Sequence, residues 1–343
     1  MSTSDAGPIL IWGAGAIGGS LGAAFLRAGH RVVFVDTDVR HVLALNTDGL
    51  TIDGPVRPDR VPAEAYLPAD LEGRFARTFL CVKALHTGAA IDEMAPHVAP
   101  DGYVVSAQNG LNERVIAEVV GADRTIGCFV NFGADYLAPG VVHYSGRGAV
   151  VVGELDGAET PRIRAIHALM RDFDERAVLT PNIWGYLWGK MTYGALLFGT
   201  ALTDDAIADV LDDPACRPVL AALGREVAAV AAAEDVAPEG FDGFDPAAFA
   251  PGADADALER SFAEMVAHNR RSTKTHSGIW RDLAIRKRKT ECEAQLGPIV
   301  ASGRARGRPT PLTERVMAMI AEIETGRRPL ARENLIELGG VTA

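Results

Sequence analysis

The first part of the chain alternates between short apolar runs and a stretch of small residues. The run PILIW is followed by a glycine-rich turn, by the stretch SLGAAFLRAG, and by a second apolar run, RVVFVD, that ends at Asp36. Short apolar runs bounded by turns are typical of buried parallel strands, and a stretch of small residues between two of them is typical of a packed helix. The pattern predicts a strand, a turn, a helix and a second strand.

The same alternation continues to about residue 180. RTFLCVKA and DGYVVSAQNG predict two more strands, which end near Lys83 and Asn109, and LNERVIAEVV predicts the helix after them. The runs TIGCFVNFGADY, VVHYSGRG and AVVVGEL are short, β-like and divided by glycine and proline, which indicates an antiparallel extension of the sheet. We therefore predict an α/β domain of the Rossmann type over residues 1–180.

From Pro181 onward the pattern changes to long alanine-rich and leucine-rich segments with helical periodicity. This predicts an all-helical second domain over residues 181–343, with its first helix near PNIWGYLWGK. The stretch from His276 predicts a helix with a break near Gly297 and Pro298, then a basic loop. A last helix is expected to begin with Thr310 as its N-cap and proline in its first turn.

The charge balance limits the classes of partner. The chain of 343 residues carries 34 basic and 45 acidic residues, a net charge of −11. A field of that sign opposes binding to nucleic-acid phosphates and to anionic membranes. No apolar stretch approaches the length of a membrane span, and the N-terminus shows no secretory signal, so we expect a cytoplasmic protein with a small-molecule substrate.

Cysteine and lysine usage narrows the chemistry. The four cysteines lie far apart with no CxxC pair, so we expect small core residues and no metal site. Only five of the cations are lysines: Lys83, Lys190, Lys274, Lys287 and Lys289. A lysine in an apolar setting therefore invites a chemical explanation.

The glycine-rich turn has the spacing of a dinucleotide-binding site. Gly13, Gly15 and Gly18 form GxGxxG between the first predicted strand and helix, and Ala14, Ala16 and Ile17 complete the proposed cofactor-binding turn. Asp36 follows 18 residues after Gly18, where a carboxylate binds the adenosine ribose hydroxyls and repels a 2′-phosphate. NAD is thus favoured over NADP, although Arg40 nearby keeps NADP open.

Lys190 lies on an apolar stripe of the first helix of the second domain. The stripe reads Ile183, Leu187, Lys190 and Gly194. Loss of hydration lowers the pKa of an ammonium group and makes it a better proton donor near neutral pH, whereas arginine does not give up its proton. The alternative is a lysine whose stem packs on the neighbouring tryptophans. For the basic run 286–289 we expect a solvated helix face on which Glu291 pairs with Lys287.

Taken in order, these motifs resemble the ketopantoate reductase (2-dehydropantoate 2-reductase) family. The resemblance covers nearly the whole chain and rests on GAGAIGG, VKA, QNG, WGK, SGIWRD, TE and GRPTP. It implies a helical domain of the 6-phosphogluconate dehydrogenase C-terminal type and a homodimer. It also implies that Lys190 is the catalytic lysine, that Lys83 and Asn109 border nicotinamide and substrate, and that Glu291 and Ser277 contact the substrate.

Three positions depart from the pattern of the family. Members typically carry asparagines one and two turns after the lysine and a second serine in the serine-rich segment, where this chain has Gly194, Phe198 and Gly278. A site built to hydrogen-bond a substrate loses heavily when such partners are absent. We therefore expect a substrate other than ketopantoate.

The function expected from the sequence is NAD(P)-dependent hydride transfer between nicotinamide and a 2-oxo or 2-hydroxy acid. Lys190 is the expected general acid and base, Glu291 and Asn109 assist it, and Gly194, Phe198 and Ser277 line the substrate. Two alternatives stay open. One is a true NADPH-dependent 2-dehydropantoate 2-reductase of pantothenate biosynthesis, and the other is a non-catalytic nucleotide-sensing protein.

Overall fold

The computed structural model describes residues 7–271 and 275–341, and the chain divides into two compact units, Met1–Ile183 and Trp184–Ala343. The boundary predicted at residue 180 lies three residues before this division. The first unit is mixed α/β and the second is helical, as predicted.

The first unit consists of strands and helices that alternate over most of its length. Its strands are β1 (Ile9–Trp12), β2 (Val32–Val35), β3 (Leu50–Asp53), β4 (Asp59–Val61), β5 (Glu64–Tyr66), β6 (Phe75–Leu80), β7 (Val98–Ser106), β8 (Thr125–Val130), β9 (Gly133–Ala138), β10 (Val141–Gly146), β11 (Val150–Glu154) and β12 (Val178–Leu179). Its helices are α1 (Ala16–Arg27), α2 (Val39–Asp48), α3 (Thr87–Met94), α4 (Glu113–Val120) and α5 (Pro161–Phe173).

The main sheet has the order β12-β11-β8-β7-β6-β1-β2-β5. Strands β5, β2, β1, β6, β7 and β8 are parallel, and β11 runs antiparallel to β8. The chain leaves β1 toward β2 on one side and returns to β6 on the other. The strand order therefore reverses between β1 and β6, and ligands of open α/β sheets bind at such a reversal, beyond the carboxyl ends of the strands.

A second sheet was not predicted. It has the order β4-β3-β10-β9, with β10 parallel to β3 and antiparallel to β9. Of the runs predicted as an antiparallel extension, β8 joins the main sheet as a parallel strand and β11 as an antiparallel one, whereas β9 and β10 form a hairpin in the second sheet. The second sheet covers α1, since a Cβ atom on Gly19 would lie 3.0 Å from Val142 Cγ2.

The second unit is built from helices. They are α6 (Ile183–Thr200), α7 (Ile207–Asp212), α8 (Arg217–Ala233), α9 (Ala255–Arg271), the short α10 (Gly278–Trp280), α11 (Cys292–Ala305), α12 (Pro311–Glu324) and α13 (Glu333–Gly339). Helix α6 carries buried residues on most of its surface, Leu187, Trp188, Leu196 and Phe198 among them, which is typical of a central helix. Among the described residues, no helix combines the length and hydropathy that crossing a bilayer requires.

Two predictions for the segment after α10 were wrong. Helix α11 continues through Pro298 to Ala305, because burial of the neighbouring Leu296, Ile299 and Val300 offsets the lost backbone hydrogen bond. The break falls earlier, between Ile285 and Cys292.

The basic run 286–289 therefore lies in a loop and not on a helix face. Arg286 and Arg288 both donate to Oδ1 of the buried Asp282, at 2.8 and 2.9 Å, and Lys287 has a φ of 50°. Lys289 pairs with Glu293 at 3.1 Å. Because two arginines of this loop bind one buried carboxylate, the chain changes direction before α11 begins. Thr310 occupies the N-cap position of α12 and Pro311 its first turn, as predicted.

Candidate functional site

The glycine-rich turn joins β1 to α1, and each of its glycines has a separate steric reason. Gly13 has a φ of 97°, and a Cβ atom there would lie 2.9 Å from the backbone nitrogen of Val82. A Cβ atom on Gly18 would overlap the carbonyl oxygen of Gly13, so helix and turn pack in direct contact. A Cβ atom on Gly15 would meet nothing within 4 Å. The backbone at Gly15 is thus open to a close-lying ligand such as a pyrophosphate, at a helix N-terminus that favours anions.

Asp36 is fixed against this turn. Its Oδ2 accepts a hydrogen bond from the backbone N–H of Ala14 at 3.0 Å, and its Oδ1 accepts one from the N–H of Asp38 at 3.0 Å. Each carboxylate oxygen keeps further acceptor capacity. The carboxylate is therefore held beside the turn with oxygens that can accept hydrogen bonds from a ribose.

A second carboxylate and a tyrosine surround Asp36. Asp38 caps α2 by accepting from the N–H of Arg40 at 3.0 Å, and the exposed Arg40 guanidinium pairs with Asp38 at 3.6 Å. Burial, together with the negative charges of Asp38 and Asp36, raises the pKa of the Tyr136 hydroxyl. The field at this end of the turn is thus negative, and the guanidinium of Arg40 is directed at Asp38.

Lys83 and Asn109 follow the neighbouring parallel strands β6 and β7, and both are exposed. A buried hydrogen-bond chain lies beneath them. Gln108 Nε2 donates to the carbonyl of Val82 and to Thr87 Oγ1, both at 2.8 Å. Thr87 Oγ1 then donates to Asn112 Oδ1 at 3.1 Å, and Asn112 Nδ2 donates to the carbonyl of Asn109 at 2.7 Å. The two loops are therefore held together by side chains under them.

The first residue of α4, Glu113, is a fully buried acid next to this chain. Neither of its carboxylate oxygens has a hydrogen-bond partner among the described residues. Burial raises its pKa to about 7, although the nearby Ser106 hydroxyl and its own backbone N–H act in the opposite direction. An acid in such surroundings is held mainly in its neutral form below that pH.

In the second unit, Lys190 lies midway along α6 at the edge of the buried face. Ile183, Leu187 and Trp188 are buried, whereas Lys190 and Gly194 keep part of their surface exposed. Because Lys190 retains contact with solvent, its hydration is reduced and not lost.

The glycine before Lys190 permits a close packing of the chain. The N–H of Glu239 donates to the carbonyl of Gly185 at 2.9 Å, and a Cβ atom on Gly189 would overlap the carbonyl oxygen of Glu239. The loop before α9 thus packs directly on the helix turn that presents Lys190.

Of the three positions that depart from the family pattern, Gly194 and Gly278 leave open space beside them, whereas Phe198 is enclosed by its neighbours. A Cβ atom on Gly194 would meet nothing within 4 Å, and one on Gly278 would meet only Arg281 Nη2, at 3.9 Å. The Phe198 ring has no exposed surface and belongs to the packing of α6. Phe198 therefore offers no exposed surface for the predicted contact with substrate.

Ser277 and Glu291 both lie at helix starts. Ser277 is buried and its Oγ accepts from the N–H of Trp280 at 3.1 Å, which leaves its hydroxyl proton available for donation. Glu291 takes the N-cap position of α11 without making a cap hydrogen bond. Thr290 beside it donates to Glu324 Oε1 from its N–H and its hydroxyl, at 2.8 and 2.7 Å. That anchor fixes the backbone that carries Glu291.

Several residues around the turn and the loops were not predicted: His41, Tyr136, Gln108, Thr87, Asn112 and Glu113. Their long-range hydrogen bonds join residues that lie 21 to 99 positions apart along the chain, as between Gln108 and Thr87 and between Gly140 and His41. The QNG motif contained Gln108, and a signal for His41 is its position one helical turn before the apolar Leu45. In the described part of the chain, no group of three or more histidine, cysteine or acidic side chains is arranged to hold a metal ion.

Two family models match the chain. The ketopantoate reductase PanE/ApbA model matches residues 9–157, and the ketopantoate reductase PanE/ApbA C-terminal model matches residues 182–324. The 2-dehydropantoate 2-reductase of Archaeoglobus fulgidus is 29% identical over 320 residues, covering 93% of this chain and 98% of that protein.

Solved structures share this fold. A PanE/ApbA family ketopantoate reductase from Ralstonia eutropha aligns with a TM-score of 0.78 and 24% identity, covering 94% of this chain and 99% of that one. A D-mandelate dehydrogenase, solved as a ternary complex with NADH and anilino(oxo)acetate, aligns with a TM-score of 0.80 and 20% identity over the same shares.

Proposed function

The chain belongs to the ketopantoate reductase family of NAD(P)-dependent oxidoreductases, and we propose that it uses NAD(H) to interconvert a 2-oxo acid and its 2-hydroxy acid. The proposed use of NAD(H) is supported by the two hydrogen bonds that hold Asp36 beside the glycine turn. The residues present fit a dinucleotide. Open backbone at Gly15 suits the pyrophosphate, and Asp36 suits unphosphorylated ribose hydroxyls.

A bound nicotinamide dinucleotide supplies or accepts the hydride. The side chains of this protein bind, orient and move the proton. Lys190 protonates the oxygen at C2 during reduction and, as the neutral amine, accepts that proton during oxidation. Glu291 orients the hydroxyl group. Asn109 and Lys83, held by the buried chain through Gln108, contact the nicotinamide and the reacting carbonyl.

We propose that the substrate is a 2-oxo acid whose side chain is too large for a site that hydrogen-bonds ketopantoate. Gly194 and Gly278 replace polar side chains with unfilled volume, and Ser277 can donate its hydroxyl proton to the substrate carboxylate. The anilino(oxo)acetate bound by the structurally similar D-mandelate dehydrogenase carries a phenyl ring and supports this size class. The second candidate is 2-dehydropantoate itself, which the name of the Archaeoglobus relative favours.

We also propose that the protein is a cytoplasmic homodimer. Size-exclusion chromatography with light scattering should give twice the mass of the chain, and a mass equal to that of one chain would contradict the dimer.

Lys190→Ala tests the proposed role of the lysine. General acid–base groups contribute roughly 10²- to 10⁴-fold, so kcat should fall by that range while the Kd for NADH changes little. Lys190→Arg should stay impaired, because a guanidinium does not give up its proton at neutral pH.

The matched control is Lys289→Ala, which removes an exposed lysine paired with Glu293 in the same unit. It should leave turnover unchanged. Turnover of Lys190→Ala equal to that of the control would remove Lys190 from the mechanism. Tight NADH binding by the wild-type protein without turnover of any 2-oxo acid would favour the nucleotide-sensing alternative.

A further inference from the structure

Ala14, the middle residue of GAG in the glycine turn, is held at both of its backbone groups by side chains from the β2–α2 segment. Its N–H donates to Asp36 Oδ2 at 3.0 Å. Its carbonyl oxygen lies 2.9 Å from His41 Nε2. Asp36 belongs to the nucleotide site by motif, whereas His41 has no part in the motif or in the proposed chemistry.

His41 has both ring nitrogens engaged. The N–H of Gly140, at the tip of the β9–β10 hairpin, donates to His41 Nδ1 at 2.9 Å. A ring nitrogen that accepts a hydrogen bond carries no proton, so the proton of the neutral imidazole lies on Nε2, and Nε2 donates to Ala14. The ring is 1% exposed and meets the edge of Tyr136 at 5.1 Å between centroids, so packing as well as hydrogen bonding fixes its orientation.

The hydrogen bond from His41 to the carbonyl of Ala14 also determines where the N–H of Gly15 points. In a planar trans peptide the carbonyl and the following N–H point in opposite directions. Because the carbonyl of Ala14 points at His41, the N–H of Gly15 points away from it. Gly15 is also the residue at which a Cβ atom would meet nothing within 4 Å, and it directly precedes the first turn of α1. A phosphate approaching that open backbone meets the N–H of Gly15.

We propose that His41 is a positioning residue that holds the Ala14–Gly15 peptide with its N–H toward the pyrophosphate, and that it links the second sheet to cofactor binding. Rotation of this peptide would present a carbonyl oxygen to the phosphate, which repels it. Glycine at position 15 lowers the steric resistance to that rotation, so an external restraint is required. The second sheet thereby acquires a function, because the tip of its hairpin fixes the tautomer of the histidine.

This inference rests on the proposed binding of a dinucleotide at the turn, and binding by variants tests it. His41→Leu keeps the bulk and removes both hydrogen bonds. His41→Gln provides an amide that can accept from Gly140 and donate to Ala14. The matched control is His167→Leu, which removes an imidazole bonded to the carbonyl of Ala177 at 2.8 Å elsewhere in the same unit.

Binding is measured for NADH, ADP-ribose and adenosine. Adenosine serves as the comparison because it lacks the pyrophosphate that NADH and ADP-ribose carry. His41→Leu should weaken the binding of NADH and of ADP-ribose by about tenfold. This factor is expected when only a tenth of the molecules hold the peptide in the binding-competent orientation. Adenosine affinity should stay within about twofold of the wild-type value, because adenosine carries no pyrophosphate, and kcat at saturating NADH should do the same, because saturation populates the competent orientation. His41→Gln should restore most of the affinity, and His167→Leu should change none of it.

The outcomes separate the two proposals. If wild-type protein and His41→Leu bind ADP-ribose equally well, the positioning role alone is overturned. The same holds if His41→Leu loses affinity for adenosine and for ADP-ribose to the same extent. Absence of NADH and ADP-ribose binding in the wild-type protein overturns the proposed cofactor and the positioning role with it.

A measurement on the wild-type protein covers the case in which His41→Leu does not fold. Nitrogen-15 spectra of histidine-labelled protein should show His41 protonated at Nε2 and unprotonated at Nδ1. The opposite tautomer would overturn the proposal.

Discussion

At the scale of single residues, the cofactor end of the site depends on carboxylates with different tasks. Asp36 accepts from the turn and faces the proposed ribose position, whereas Asp38 caps α2 and engages Arg40. Asp36 could be found in the sequence, because the glycine spacing and the strand end before it are local signals. Which carboxylate faces the turn depends on backbone donors that only the folded chain brings together.

Asp36→Asn removes the charge but keeps an oxygen that can accept from Ala14. A hydrogen bond to a charged group contributes about 1.5–3 kcal/mol, so the Kd for NADH should rise by roughly tenfold or more. Binding of NADPH should improve, because the repulsion of the 2′-phosphate is lost. Fluorescence titration of both cofactors measures the ratio, with Asp38→Asn as the control. An unchanged preference between the cofactors in Asp36→Asn would show that Asp36 does not select NAD.

At the scale of secondary-structure elements, the sequence predicted what is local and missed what is paired over long distances. Strand β1, the turn, α1 and β2 follow one another and were predicted. The second sheet joins β3 to β10, so its pairing is set by packing on α1, which periodicity does not reveal. The segment after α10 was misjudged for a related reason. Its helix-forming residues are outweighed by Asp282, which holds Arg286 and Arg288 and turns the chain.

The start of α4 gives a pH-dependent prediction. The pKa of Glu113 is about 7 in the folded protein against an ordinary value of 4.5, so folding favours its protonated form. The stabilisation is complete below about pH 4.5 and is lost as the pH rises through 7, because the unfolded state then binds fewer protons. At 1.36 kcal/mol per pKa unit the loss is roughly 3 kcal/mol.

Glu113→Gln removes this titration while keeping the shape of the side chain. Relative to wild type, the variant should gain unfolding free energy between pH 5 and pH 8, measured by urea denaturation. The matched control is Glu118→Gln, an exposed glutamate on the same helix, which should show no such gain. A difference between Glu113→Gln and wild type that does not depend on pH would contradict a raised pKa.

At the scale of the whole molecule, each unit supplies a different part of the proposed chemistry. The first unit carries the turn, Asp36 and the paired loops, and the second carries Lys190, Ser277 and Glu291. A catalytic role for Lys190 could be proposed from the sequence, because lysine is scarce in this chain and Lys190 lies on an apolar helix. The substrate could not, because the volume left by Gly194 and Gly278 depends on how the helices around them pack.

Hydride transfer from nicotinamide to C2 of a 2-oxo acid can be followed by transfer of an isotope. NADH stereospecifically deuterated at C4, on each face in turn, is incubated with the enzyme and a panel of 2-oxo acids that includes 2-dehydropantoate and an aryl 2-oxo acid. The hydroxy acid product is then examined by mass spectrometry and NMR. We expect one deuterium at C2 from one of the two faces, with the larger 2-oxo acid preferred. Products without deuterium at C2 from either face, or no product from any acid of the panel, would contradict it.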